Sequence, residues 1–160
     1  MNQSRKLKPI IIAAMAATAV AAIGGLMTDI GPWYLSLAKP NWQPPDWLFG
    51  PAWTLIFSLA AASGVIAWRD APSQGSREWM LALFALNGFL NVLWSLLFFK
   101  LKRPDWALME VGFLWLSVAL LMVVLGQYSR KAGWLLAPYL VWIAFAAFLN
   151  WTTVRLNGPF

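Results

Sequence analysis

The chain has 160 residues, of which 61% are hydrophobic and 11% charged, and its formal net charge is +6. Soluble domains have roughly 45–50% apolar and about 25% charged residues, so a chain of this size must place its excess apolar surface in lipid. The absence of His and Cys excludes zinc sites, His-ligated haem, disulfides and Ser–His or thiolate catalysis. The cations are scattered in short segments between apolar stretches, which argues against a nucleic-acid partner.

Five apolar stretches are each about as long as the ~20 residues that a helix needs to cross a bilayer core. They cover residues 9–27, 48–68, 79–99, 106–128 and 134–154. Their apolar runs are continuous and show no period-two alternation, which favours helices over a membrane barrel. The sequence therefore predicts an all-α integral membrane protein, in which a single domain over residues 1–160 forms a bundle of five transmembrane helices.

The first stretch follows three cations and resembles a signal peptide. Its apolar run exceeds the ~7–15 residues typical of such a leader, so we interpret it as a transmembrane helix. Seven cations flank the N-terminal side of the bundle and five the other side, which predicts a cytoplasmic N-terminus. The seven are Arg5, Lys6, Lys8, Arg69, Arg77, Arg130 and Lys131, and the five are Lys39, Lys100, Lys102, Arg103 and Arg155.

The connection between the first two stretches, over residues 28–47, combines prolines with large aromatic residues. These are Pro32, Pro40, Pro44, Pro45, Trp33, Tyr34, Trp42 and Trp47. Two interpretations are open. In the first, Trp33 and Trp47 form part of an aromatic belt at headgroup level, together with Trp79, Trp106 and Trp134. Alternatively, proline stiffens the segment and the aromatics pack it into a structured lid over a cavity.

A few polar residues lie inside the apolar stretches. Asn87 and Asn91 are four residues apart and share one helix face with Trp94. In lipid such amides face other helices or a cavity, so they serve interhelical hydrogen bonding or ligand contact, and the same holds for Asn150. Glu110 is the only charged residue within the five stretches, and its alternatives are a structural hydrogen bond and a proton relay.

Several tryptophans lie within the second to fifth stretches, among them Trp53, Trp94, Trp115 and Trp142. Any one of them alone is explained by core filling. Indoles from several helices that converge near the first connection would instead form stacking walls for a large, flat, apolar ligand. The five cations on that side would pair with acidic groups on the rim of the ligand.

The tryptophan and proline pattern resembles that of the TspO/MBR family, the tryptophan-rich sensory proteins related to the mitochondrial translocator protein, also called the peripheral benzodiazepine receptor. The resemblance covers residues 24–157. It rests on Trp33-Tyr34, Lys39-Pro40-Asn41-Trp42-Gln43-Pro44-Pro45-Asp46-Trp47, Gly50-Pro51-Ala52-Trp53, Leu90-Asn91, Trp94, Phe98-Phe99, Trp106-Ala107-Leu108, Glu110, Pro138-Tyr139-Leu140, Trp142, Phe145-Ala146 and Leu149-Asn150.

The resemblance implies a five-helix fold, a homodimer, and a cavity that opens toward the first connection and binds protoporphyrin IX or haem, with no cofactor required. The predicted ligand-binding residues are Trp33, Trp42, Trp53, Asn87, Asn91, Trp94, Trp106, Glu110, Trp142, Ala146 and Leu149. Lys39, Arg103 and Arg155 are the predicted rim cations, and no metal ligand is predicted.

The resemblance also implies a function. We expect a tetrapyrrole-binding membrane protein that acts in porphyrin transport, sensing or regulation. One alternative is a light-dependent porphyrin-degrading enzyme that uses Trp53 and Trp142, and another is a stress-signalling scaffold. Sterol binding is not expected, because Trp151 stands where the animal sterol motif has tyrosine, and this departure favours a bacterial cell membrane.

Overall fold

The computed structural model describes residues 3–160, with side chains from Leu7 onward, and within this range the chain is helical without strands. The helices are α1 (Gln3–Met27), α2 (Pro32–Ser36), α3 (Phe49–Asp70), α4 (Gln74–Ser95), α5 (Pro104–Tyr128), α6 (Arg130–Leu135) and α7 (Ala137–Asn157). Five segments are long and apolar enough to cross a membrane, which confirms the predicted fold class. The side chains of Arg5 and Lys6, used to predict the orientation, lie outside the described residues.

Local sequence signals explain where the helices begin and break. The Ser73 hydroxyl caps α4 by accepting a hydrogen bond from the Ser76 amide at 3.1 Å. Pro104 opens α5 at a position where a missing N–H costs nothing. The fifth span breaks into α6 and α7 at Leu136, two residues before Pro138, which cannot donate to the preceding turn.

The interior of the bundle is built around α5, which contacts α3, α4, α6 and α7. Apolar residues spaced three or four apart form its buried face, namely Ala107, Val111, Leu114, Val118, Leu121 and Leu125. By contrast, α1 lies at the outside of the bundle against α3 and α4. Large apolar side chains remain exposed along the spans, as lipid allows.

The helices α5 and α6 approach each other closely where α6 folds back onto α5. A Cβ added to Gly133 would lie 2.9 Å from both the Gly126 Cα and the Met122 carbonyl oxygen. One residue earlier, the Ala132 carbonyl accepts a hydrogen bond from the buried Ser63 hydroxyl of α3 at 2.7 Å. Glycine at position 133 therefore lets three helices meet without a steric clash.

Replacing Gly133 with alanine is expected to lower stability by about 1–3 kcal/mol, because backbone atoms of α5 must move. Thermal unfolding in detergent, followed by circular dichroism, measures the effect. The matched control is Gly112→Ala in α5, where an added Cβ meets nothing within 4 Å and helix propensity should leave stability equal or slightly higher. Equal melting temperatures for the two variants would contradict the close packing.

Candidate functional site

A cavity of about 640 Å³ lies inside the bundle, beneath the first connection. Residues of α1, α3, α4, α5 and α7 line it from the sides, and residues of the connection line it from above. Its volume falls within the range of roughly 300–1,000 Å³ usual for sites that bind small molecules or cofactors. Most of its surface is apolar and much of it is aromatic.

One aromatic wall of the cavity comes from α3 and α7. The rings of Trp53 and Trp142 meet edge to face, with centroids 6.3 Å apart and planes at 86°. Trp53 stacks on Phe57 at 5.2 Å, and Phe49 meets Trp142 edge to face at 5.7 Å. The indole N–H of Trp142 is buried and has no hydrogen-bond partner among the described residues.

A second aromatic wall comes from the end of the third span, where α4 continues into a π-helix over Leu96–Lys100. Trp94 stacks on Phe98 at 5.1 Å and meets Phe99 edge to face at 6.1 Å. A π-turn inserts one extra residue, so the side chains that follow are rotated relative to a regular α-helix. Trp94, Phe98 and Phe99 all line the cavity.

The first connection is a folded segment, called here the lid (residues 28–47), that packs onto these aromatics. Trp33 meets Phe98 at 6.2 Å, and Trp42 stacks on Phe148 at 5.1 Å. The Asn157 side chain binds the lid from the end of α7. It accepts from the Ala38 amide at 2.7 Å and donates to the Ala38 carbonyl at 2.9 Å.

A polar cluster on the underside of the lid faces the cavity. The Tyr34 hydroxyl donates to Asp46 at 2.8 Å, and the Lys39 ammonium lies 3.7 Å from the same carboxylate and 3.8 Å from the Tyr34 ring centroid. Burial, reinforced by the hydrogen bond and charge of Asp46, raises the pKa of Tyr34 above its ordinary value, so the phenol stays a neutral donor. All three side chains line the cavity.

Below the cavity, polar side chains join α4, α5 and α7. Asn87 donates to the Ser117 hydroxyl at 2.9 Å and accepts from the Tyr139 hydroxyl at 3.1 Å, and Asn91 donates to Tyr139 at 3.2 Å. Both asparagines therefore make interhelical hydrogen bonds, and Asn91 also lines the cavity. Asn150, with its amide oriented to satisfy both groups, donates to the Pro104 carbonyl at 3.0 Å and accepts from the Leu108 amide at 3.1 Å.

Glu110 lies on the buried side of α5, and neither carboxylate oxygen has a hydrogen-bond partner among the described residues. It does not line the cavity. Arg103, a cation near the start of the same helix, binds Asp105 through its guanidinium, with Nε 2.8 Å from Oδ1, and lies 4.1 Å from the Trp106 ring. The structure therefore gives no support to a structural hydrogen bond at Glu110. Burial of a carboxylate without such a partner costs free energy.

The structure brings about half of the predicted site residues together. Those that line the cavity are Trp53, Asn91, Trp94, Trp142, Ala146, Leu149 and Lys39. Those that lie away from it are Trp33, Trp42, Asn87, Trp106, Glu110, Arg103 and Arg155. Trp33 and Trp42 pack the lid, while Trp106 is 44% exposed at the start of α5 and Arg155 lies 5.0 Å from the Trp151 ring.

Sequence reasoning also left cavity residues out of the predicted site, notably Tyr34, Asp46, Phe57, Phe98 and Phe99. Phe98 and Phe99 lie in the family pattern, but two adjacent residues of a regular helix would not both be expected to face one cavity. The spacing of Asp46 and Tyr34 along the lid contains no periodic signal that places them together. The many prolines of this segment were the sequence feature that indicated a structured lid there.

Comparison with known proteins agrees with this architecture. The model of the TspO/MBR family matches residues 11–156. The chain belongs to the TspO/MBR family. It is 39% identical over 151 residues to the tryptophan-rich protein TspO of Archaeoglobus fulgidus, which covers 93% of this chain and 97% of that protein.

Two further relatives come from distant organisms. The tryptophan-rich protein TspO of Chlorobaculum tepidum is 36% identical over 125 residues, covering 78% of this chain and 79% of that protein. The translocator protein of Sus scrofa is 32% identical over 158 residues, covering 94% of each. Family membership and the five apolar helices identify a multi-pass integral membrane protein.

Proposed function

We propose that this protein binds a tetrapyrrole such as protoporphyrin IX or haem in the lid-covered cavity and acts in its transport, sensing or regulation. The observation that carries the proposal is the convergence of two aromatic walls, from α3–α7 and from the end of α4, on one cavity of about 640 Å³. Indole and phenyl faces suit a planar π-system, and stacking requires no metal ligand.

Recognition of the macrocycle is by shape and stacking. Because the chain has no His, a bound haem would lack that common axial ligand, which favours recognition by shape over coordination of the metal. The carboxylates of the ligand would lie toward the lid, where Lys39 is the one predicted rim cation that lines the cavity. The present partner of Lys39 is Asp46, which a ligand carboxylate would displace or share.

Replacing Trp53 or Trp142 with leucine is expected to weaken protoporphyrin IX binding roughly 5–150-fold, since one aromatic stacking contact contributes about 1–3 kcal/mol. The shift of the Soret absorption band on titration measures affinity without relying on protein fluorescence. Trp79→Leu is the matched control, because Trp79 is 56% exposed and lies outside the cavity. The proposal fails if the three variants bind equally well.

Replacing Lys39 with glutamine is expected to weaken binding of the diacid porphyrin by about 1.4-fold to fivefold, since a partly exposed ion pair contributes roughly 0.2–1 kcal/mol. Binding of the porphyrin dimethyl ester, which has no carboxylate, should be unchanged. The ester thereby separates loss of the ion pair from loosening of the lid. Arg155→Gln serves as the control, and equal losses for diacid and ester would exclude carboxylate pairing by Lys39.

A second candidate function is light-dependent oxidative breakdown of the porphyrin by dioxygen. The specific observation in its favour is the edge-to-face contact of Trp53 and Trp142 at 6.3 Å within the cavity wall. The photoexcited macrocycle can take an electron from an adjacent indole and pass it to dioxygen, which becomes superoxide. The indole radical cation, shared between the two tryptophans, then takes an electron back from the macrocycle, so that the macrocycle is oxidised, dioxygen is reduced and the tryptophans are restored. Phenylalanine keeps a stacking face at either position but is much harder to oxidise.

Illumination in air separates binding from degradation. If the second function holds, the porphyrin absorbance falls and a new product band rises, and both changes slow in Trp53→Phe and Trp142→Phe while binding persists. Trp134→Phe, which alters a 68% exposed residue outside the cavity, should behave as the parent. Loss of absorbance at the rate observed in detergent alone would rule out degradation and leave the binding proposal intact.

A further inference from the structure

A second cavity, of about 200 Å³, lies between α1, α3 and α4 in the half of the bundle farther from the lid. Its lining is almost wholly apolar and includes small residues such as Ala13, Ala17 and Gly64. Two of its lining residues, Ile12 and Leu81, are 53% and 49% exposed. The cavity therefore opens sideways onto the outer surface of the helices, where the surroundings are lipid.

The length of this cavity corresponds to one leaflet. Along α1 it extends from Pro9 to Val20, which is about 17 Å at the helical rise of 1.5 Å per residue. Half of a hydrocarbon core of about 30 Å is about 15 Å. An extended acyl chain with its ester at the interface would thus reach from the mouth of the cavity to its inner end.

The inner end of the cavity is closed by groups whose polar atoms are already used. Asn87 and Tyr139 line it, and they are hydrogen-bonded to each other and to Ser117 and Asn91. Val20 and Phe57 line this cavity and also the larger one. Each polar side-chain atom of Asn87 and Tyr139 thus already has a hydrogen-bond partner, so the inner end suits the terminal carbons of an apolar chain.

Two cations, Arg77 and Lys8, lie next to lining residues at the mouth of the cavity. The Arg77 guanidinium lies 5.5 Å from the ring of Trp68, a lining residue, and its Nε donates to the Trp68 carbonyl at 3.2 Å. Lys8 is exposed and directly precedes Pro9. Asp70 and Glu78 lie at the same end, but within the described residues neither forms an ion pair with Arg77. Unused guanidinium donors can therefore meet a phosphate at headgroup level.

We propose that this cavity is a binding site for an anionic phospholipid, which inserts one acyl chain between α1, α3 and α4 and places its phosphate at Arg77. The apolar lining, the lateral opening, the one-leaflet length and the charge at the mouth together match that ligand class. The site is adjacent to the lid-covered cavity, with which it shares Val20 and Phe57, and the proposal does not rest on what the larger cavity binds.

The test is native mass spectrometry of the purified full chain, titrated with phosphatidylglycerol or phosphatidylcholine. Ala17→Leu fills the cavity from α1 and is expected to lower phosphatidylglycerol affinity roughly tenfold or more. Its matched control, Ala14→Leu, adds the same side chain at an exposed position on the same helix outside the cavity. Ala61→Leu with control Ala62→Leu repeats the comparison from α3, and circular dichroism verifies the fold of each variant.

The headgroup half of the proposal is tested by Arg77→Gln, which should lower phosphatidylglycerol affinity about fivefold and leave phosphatidylcholine affinity unchanged. Arg130→Gln, a cation at the same end outside the cavity, is the control. Equal lipid binding by the filling variants and their controls would overturn the proposal. The proposal would also be overturned if a sterol bound in the cavity and phosphatidylglycerol did not. The same holds if the filling variants changed only the oligomeric state, since either result would assign the cavity to another occupant.

Discussion

The Tyr139 hydroxyl, in the middle of the bundle, is the centre of a hydrogen-bond network that links three helices. In a bilayer, polar groups cannot fall back on water, so the Tyr139 hydroxyl must be paired within the protein. It donates to Asn87 and accepts from Asn91, and Asn87 continues the network to Ser117. These bonds tie α4, α5 and α7 together where the two cavities come closest. The same polar groups thus join three helices next to both cavities.

The tryptophans occupy several environments, two of which differ sharply. Trp53, Trp94 and Trp142 face the larger cavity, where their ring faces remain available to a ligand. Trp79 and Trp134 lie at span ends with 56% and 68% of their surface exposed, as expected for residues at headgroup level. The large, amphipathic indole serves both environments, because its ring is apolar and its N–H is polar.

The lid combines rigidity with a polar underside. Its prolines restrict the backbone, Trp33 and Trp42 pack against Phe98 and Phe148, and Asn157 binds the Ala38 backbone. The Tyr34–Asp46–Lys39 cluster places a cation at the roof of an otherwise apolar cavity. Under the proposed function, this lid would favour a flat apolar ligand that carries acidic groups at one edge.

The sequence by itself determined the five apolar helices, the helix face shared by Asn87 and Asn91, and the family, because helix length and periodicity are local properties that lipid enforces. It also pointed to Trp53, Trp94 and Trp142, since they lie within spans. Only the tertiary structure decided that Phe98 and Phe99 face the cavity, that Trp106 and Arg103 do not, and that α1 encloses a second cavity. These features depend on a π-turn, on side-chain pairing and on helix contacts between residues far apart in the chain, and none of them leaves a periodic signal in sequence.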